Sequence, residues 1–266
     1  MAAKKRASSP SATNVVATAR GKGGASKGRA AWEGFKSLAG AVAIFLFIRT
    51  VFVEAFRIPS GSMIPTLLVG DWLFVNKLVY GPHIPFTSIN LPGYSDPARG
   101  EVVVFISPYQ ADEAAIGNDP TPVLVKRLVA VAGDTIYMRD ALFHVNGIAQ
   151  RQGYAASANP RSDGNIPTDR HDWQHKFEIK GSRFGAPPDH PTLDNWGPMV
   201  VPPGHLFMLG DNRYNSKDAR FWGFVPRQNV RGRPIFVYYS WNADDSDRPL
   251  PFLTDIRWSR IGTVIR

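Results

Sequence analysis

Short apolar runs, each closed by Gly, Pro, Asp or Asn, recur along most of this 266-residue chain. "DWLFVNKLVYG" (71–81), "GEVVVFIS" (100–107), "PVLVKRLVAVAGD" (122–134), "HLFMLGDN" (205–212) and "PIFVYYSW" (234–241) are all rich in β-branched or aromatic residues. That length and composition predict strands, not helices. "DTIYMRDALFHVNG" (134–147) alternates on either side of Arg139-Asp140 and predicts a hairpin. Between 148 and 200 the pattern fails. The stretch is polar and rich in Pro, Gly, Asp and His, with only "HKFEIKG" strand-like. It predicts a cap inserted into a β core built from 57–147 and 201–266. With 24 Gly and 22 Pro, the chain favours many short elements joined by turns.

One segment breaks the strand pattern. In "SLAGAVAIFLFIRTVFVEAF" (37–56), residues Leu38 to Ile48 are uncharged and mostly apolar. Counted from Gly34 to Phe56, the segment is long enough for a bilayer core, provided Arg49 and Glu54 lie near its far edge and snorkel. It therefore predicts a membrane anchor over 34–56. A buried core helix is the competing reading, because the strictly apolar stretch is short. A cleavable signal peptide is disfavoured by the absence of a small-x-small site.

Charge changes the picture only when located. The formal net charge is +9, yet residues 1–36 hold eight Lys/Arg against Glu33 alone. The other 230 residues carry 23 basic and 21 acidic groups. The basicity belongs to a Gly/Ala/Ser-rich tail, residues 1–33, expected to be disordered. It argues against a nucleic-acid partner for the rest of the chain, and before an anchor it predicts a cytoplasmic N-terminus. There are no cysteines, which excludes disulfides, thiolate catalysis and cysteine zinc sites.

Candidate chemistry centres on "FRIPSGSMIPTLLVGD" (56–71), where Ser60 and Ser62 lie two apart. A serine nucleophile needs a proton acceptor near neutral pH. The six histidines, His83, His144, His171, His175, His190 and His205, sit in no context that favours a triad, and no GxSxG elbow is present. His171 and His175 are four apart but lack the intervening Glu of a zinc helix, and read as loop histidines. Lysine is the other base, if burial lowers its pKa from about 10.4 toward about 7–8. Lys126 lies mid-strand, on one face with Leu124 and Leu128, while Arg127 faces the other way with Val125 and Val129. A snorkelling lysine on an edge strand is the competing reading.

"RIPSGSMIPTLLVGD", "VLVKRLVAVAGD" and "GDNRYNSKDARFWGFVP", in this order behind an apolar segment, resemble the bacterial type I signal peptidases. These are membrane-bound Ser-Lys proteases. The resemblance covers Ser37 to about Val145 and Pro202 to the end, with the closing "SRIG", and is weak over 148–200. It implies a mostly β fold with an inserted cap, preceded by one N-terminal transmembrane helix. It also implies an enzyme that removes signal peptides after an Ala-x-Ala-like site and needs no cofactor or metal. By the motif match, Ser62 is the nucleophile, Lys126 the general base, Ser60 an oxyanion-hole donor and Ser216 a hydrogen-bonding partner that orients the lysine. Asp211, Asp218 and Arg220 form a supporting cluster, with an Asp218–Arg220 ion pair. Phe56, Ile58, Met63, Leu67, Val104 and Val125 line shallow substrate pockets. The partners are exported preproteins and the lipid bilayer. The expected location is the bacterial inner membrane, crossed once, with the catalytic domain on the periplasmic face. Tyr214 departs from the family, which usually carries an acidic residue there. Two alternatives stay open: a Ser-Lys peptidase with a specialised substrate, and a tethered β-barrel binding module without catalysis. The aromatic run 236–241, with Trp222 and Trp258, reads either as sheet core or as a face at headgroup level.

Overall fold

The computed structural model describes residues 27–83, 87, 89–150 and 169–266. The expected tail therefore lies outside the described residues up to 26. The chain divides into two compact units, the first ending at Phe45 and the second running from Leu46 to Arg266. Helix α1 (Lys27–Val51) crosses that division, and the rest of the described structure belongs to the second unit.

The helix differs from the expected anchor at both ends. It begins at Lys27, inside the stretch expected to be disordered, and its last turn closes with Phe52 N–H donating to the Ile48 carbonyl. From Val53 the backbone is a strand. β1 (Val53–Arg57) pairs with β2 (Asp71–Asn76), so Val53 to Phe56 belong to a sheet. Glu54, expected at a membrane edge, bonds Lys77 at 3.1 Å. The apolar residues Val51 to Val53 hid the switch, because periodicity does not separate a helix from a strand over so few residues. Among the described residues no helix is long and apolar enough to cross a membrane.

The remaining elements are β3 (Val102–Ile106), a short helix α2 (Ala111–Ala115), β4 (Val123–Val131), β5 (Thr135–Arg139), β6 (Leu142–Val145), β7 (Ile148–Ala149), β8 (Trp196–Val200), β9 (His205–Leu209), α3 (Ala219–Trp222), β10 (Val225–Pro226), β11 (Val230–Ser240) and α4 (Pro251–Thr254). Seven strands form one antiparallel sheet in the order β1-β2-β11-β3-β4-β9-β10; four form a second, β7-β6-β5-β8. The fold is mostly β, as the run pattern predicts. β5 and β6 make the expected hairpin, and its two turn residues, Asp140 and Ala141, take φ of 48° and 60°. That handedness follows the twist of the strands.

The stretch 148–200 is not a separate cap throughout. β8 pairs with β5, and Trp196 and Met199 are fully buried. The sequence "WGPMV" hid this strand because Gly and Pro sit inside it. The expected strand around "HKFEIKG" (175–181) is instead the end of a 3-10 segment, Asp169–Lys176, followed by turns and one bridge from Glu178 to Met199. His171 within it is buried against Phe221 with ring centroids 5.0 Å apart, not held in a solvated loop.

β4 runs through the middle of the large sheet, which explains its continuous apolar sequence. Leu128 packs in one cluster with Val103, Phe105 and Met208, and Val129 in another with Phe143, Trp196 and Phe207. A third cluster, Ile58, Met63, Leu67, Leu73, Val104 and Val237, lies under the 3-10 turn Gly61–Met63. Each such fully buried side chain contributes about 1.5–3 kcal/mol. The serine segment is thus seated on core, not suspended in a loop.

Candidate active site

Two elements carry the candidate side chains, Ser62 and Lys126. The turn Gly61–Met63 follows β1 and is pinned through Met63, which is 1% exposed. Lys126 sits in β4 opposite Val103. Turn and strand bring Lys126 Nζ to 2.6 Å from Ser62 Oγ, across 64 residues of sequence. The lysine is 3% exposed. Burial pushes its pKa down to about 8, against the opposing pull of the Asp218 carboxylate, with Arg220 lowering it further and Asp211 raising it. No carboxylate makes a salt bridge to it among the described residues. A buried amine without a counter-ion favours its neutral form, and that form can accept a hydroxyl proton.

The segment 210–220 braces the turn Gly61–Met63. Asn212 N–H donates to the Ser62 carbonyl at 3.1 Å, and its side-chain amide donates to the Gly61 carbonyl at 3.1 Å. Gly210 leaves the space that closes the packing. A Cβ there would lie 2.2 Å from Ser216 Oγ and 2.6 Å from the Ser62 carbonyl oxygen. Asp218 accepts from Gly210 N–H at 3.0 Å and pairs with Arg220 at 2.8 Å, the ion pair that the motif implied. Burial works to raise the Asp218 carboxyl, but the Arg220 guanidinium outweighs it and holds the group below its ordinary range.

Asp211 faces elsewhere. It accepts from Arg127 Nε and Nη2, both at 2.8 Å, in a forked pair that is all but buried. Thr66 Oγ1 donates to the same carboxylate. Arg127, Thr66, Gly210 and Asn212 are the participants that sequence reasoning missed. Gly210 and Asn212 stood inside the third motif but carried no assigned role, and nothing in the spacing linked Arg127 to Asp211.

The other expected residues divide. Ser60, exposed, lines the same cleft as Ser62 and Lys126. Ser216 lines it too, but its Oγ is buried and makes no hydrogen bond among the described residues, so the implied bond to the lysine is not formed. Phe56, Ile58, Met63 and Val125 border a hollow of about 80 Å³ beside the serine. Leu67 and Val104 do not border it; fully buried, they form the floor beneath. Tyr214 donates through its hydroxyl to Asp194 at 2.7 Å, so the acid that supports this turn comes from the 148–200 stretch.

A serine hydroxyl 2.6 Å from a buried lysine amine, on an antiparallel β scaffold, is an arrangement that can carry out hydrolase chemistry. Residues 31–241 match the family model described as "Signal peptidase, peptidase S26". The chain is similar to a signal peptidase I of Pseudomonas fluorescens, 35% identical over 83% of this chain and 75% of the relative. It is 33% identical to that of Pseudomonas aeruginosa over the same shares. It is 34% identical to that of Aquifex aeolicus over 73% of this chain and 79% of the relative. The chain belongs to the signal peptidase family, peptidase S26, and is a serine peptidase.

Proposed function

We propose that this chain is an endopeptidase that removes N-terminal signal peptides from exported preproteins, cutting after an Ala-x-Ala-like site with Ser62 as nucleophile and Lys126 as general base. The observation that carries the reading is the 2.6 Å approach of Ser62 Oγ to a lysine amine whose pKa burial brings to about 8. Neutral Lys126 takes the hydroxyl proton as Oγ attacks the scissile carbonyl carbon. The resulting ammonium then protonates the departing amine, leaving the signal peptide as an ester on Ser62. Lys126, neutral again, deprotonates a water that attacks this ester, then returns the proton to the departing Ser62 Oγ as the acid is released. The Ser62 backbone N–H and the Ser60 hydroxyl answer the charge on the carbonyl oxygen, where one donor is typically worth about 3–4 kcal/mol. The Asp218–Arg220 pair and Asp211 act as supports, and Ser216 packs behind the base.

The hollow of about 80 Å³ suits the small side chain before the cut. The chain would lie extended against the edge strand β1 and the start of β4, by strand addition. Ser62→Ala should abolish cleavage of a preprotein in detergent, and measurable turnover by that variant would sink the reading.

The same reading includes attachment to the bacterial inner membrane through α1, with the N-terminus cytoplasmic and the catalytic unit periplasmic. Its support is a helix whose apolar side chains are exposed on most sides: Trp32, Phe35, Leu38, Ile44 and Phe45 are each 58–64% exposed. A second bilayer contact is supported by an aromatic hollow bordered by Trp72, Tyr238, Trp241 and Phe252, and by the exposed Leu253 and Trp258. Trp222 does not belong to it, packing instead against Phe105.

A further inference from the structure

The cleft does not end at the dyad. Ser62 and Lys126 stand where the small hollow meets a larger cleft of about 490 Å³. That cleft in turn opens, past Gln110, Arg170, Lys217 and Phe221, into a third space of about 270 Å³. The small hollow and this third space share no lining residue, and the dyad lines both the hollow and the larger cleft that leads on to the third space. Their linings differ in kind. The third space is bordered by the rings of Tyr109, Trp173, Phe221 and Trp222. Its charges largely cancel: Lys217 is held by Asp112 at 2.8 Å and Glu113 at 2.6 Å. Arg170 and Trp173 come from the 148–200 stretch, where the resemblance to the family is weak.

We infer that this aromatic space is a subsite for the leaving side of the substrate, taking a bulky aromatic side chain among the first residues of the mature protein. The inference rests on the reading above, which puts the small hollow on the acyl side of the cut. Only the chain beyond the cut can then follow the cleft into the third space. Ring-lined, nearly neutral walls favour an aromatic occupant over a charged one.

The test uses the full chain in detergent and peptides with one Ala-x-Ala acyl side. Trp is placed in turn at each of the first four positions after the cut, against Ala. The expected result is a kcat/KM about tenfold higher for Trp at one of these positions, expressed mainly in KM. The preference should fall toward one in Tyr109→Ala and be retained in Tyr109→Phe. Tyr109 is 64% exposed, so neither change endangers the fold. Equal rates for Trp and Ala at all four positions, or a preference untouched by Tyr109→Ala, would overturn the subsite. Either result, in an enzyme that still needs Ser62, leaves the dyad intact; cleavage by Ser62→Ala would instead remove the reading beneath it.

Discussion

Lys126 and Arg127 are neighbours in one strand, each 3% exposed, and the fold treats them in opposite ways. Arg127 receives a full ionic partner: both oxygens of Asp211 at 2.8 Å, with further bonds to Thr66 and to the Arg266 carbonyl. Lys126 receives a hydroxyl. Strand alternation is what separates them, sending one to the core side of the serine turn and the other to its flank. A buried cation must be paired or must shed its proton. Arg127 cannot shed one, so it is paired and becomes structure. Lys126 can, so it is left without a counter-ion, as the proposed base requires.

The largest effect expected from this contrast is on activity. Lys126→Ala should lower kcat by about 10⁴-fold or more in a preprotein cleavage assay, while the far-ultraviolet circular dichroism stays β-rich. Arg127→Met should do the reverse and act on stability. It leaves the Asp211 carboxylate, 1% exposed, without its partner, at a cost of about 3–5 kcal/mol in urea unfolding. Adding Asp211→Asn should recover part of that loss, and strict additivity of the two changes would deny the coupling. Next is Ser60→Ala, expected to reduce kcat by about 10²–10³-fold with the unfolding midpoint unmoved; a change within a few-fold would remove Ser60 from the oxyanion hole. The smallest effect is a gain. Lys126 has a folded pKa of about 8, below the ordinary 10.5, so the unfolded chain binds more protons between those values. The penalty for burying it is complete below about pH 8 and fades toward 10.5. Lys126→Met should therefore stabilise the inactive protein at neutral pH by about 1–3 kcal/mol, and less at pH 10.

Much of this was legible in the sequence, for physical reasons that also explain the failures. β2, β3, β4, β9 and the β5–β6 hairpin announced themselves because alternating or continuous apolar runs ended at turn residues. β8 did not, because its burial depends on β5, a partner 60 residues away that fixes a strand containing Gly and Pro. β1 was absorbed into the apolar segment before it, since only pairing with β2 distinguishes Val53–Arg57 from one more helical turn. At the site, the apolar context of Lys126 was visible, but its serine was supplied by family resemblance, not by spacing. Arg127 was legible only as facing away from Lys126, with Val125 and Val129. Its role depends on Asp211, 84 residues on, and no local pattern encodes such a distance. Ser216 shows the opposite limit: the motif implied a bond to the lysine, whereas the side chain lies against Gly210 with its hydroxyl unbonded.

The central claim, that burial without a counter-ion makes Lys126 the base, is tested most directly by the pH dependence of kcat/KM. The neutral amine is the active form, so the rate should rise with unit slope at low pH and level off near an apparent pKa of about 8. Arg127→Met, if it folds, should leave that inflection in place, because its charge serves the other face of the strand. An inflection near the ordinary lysine value, or a rate that stays flat from about pH 6 to 10, would contradict the account.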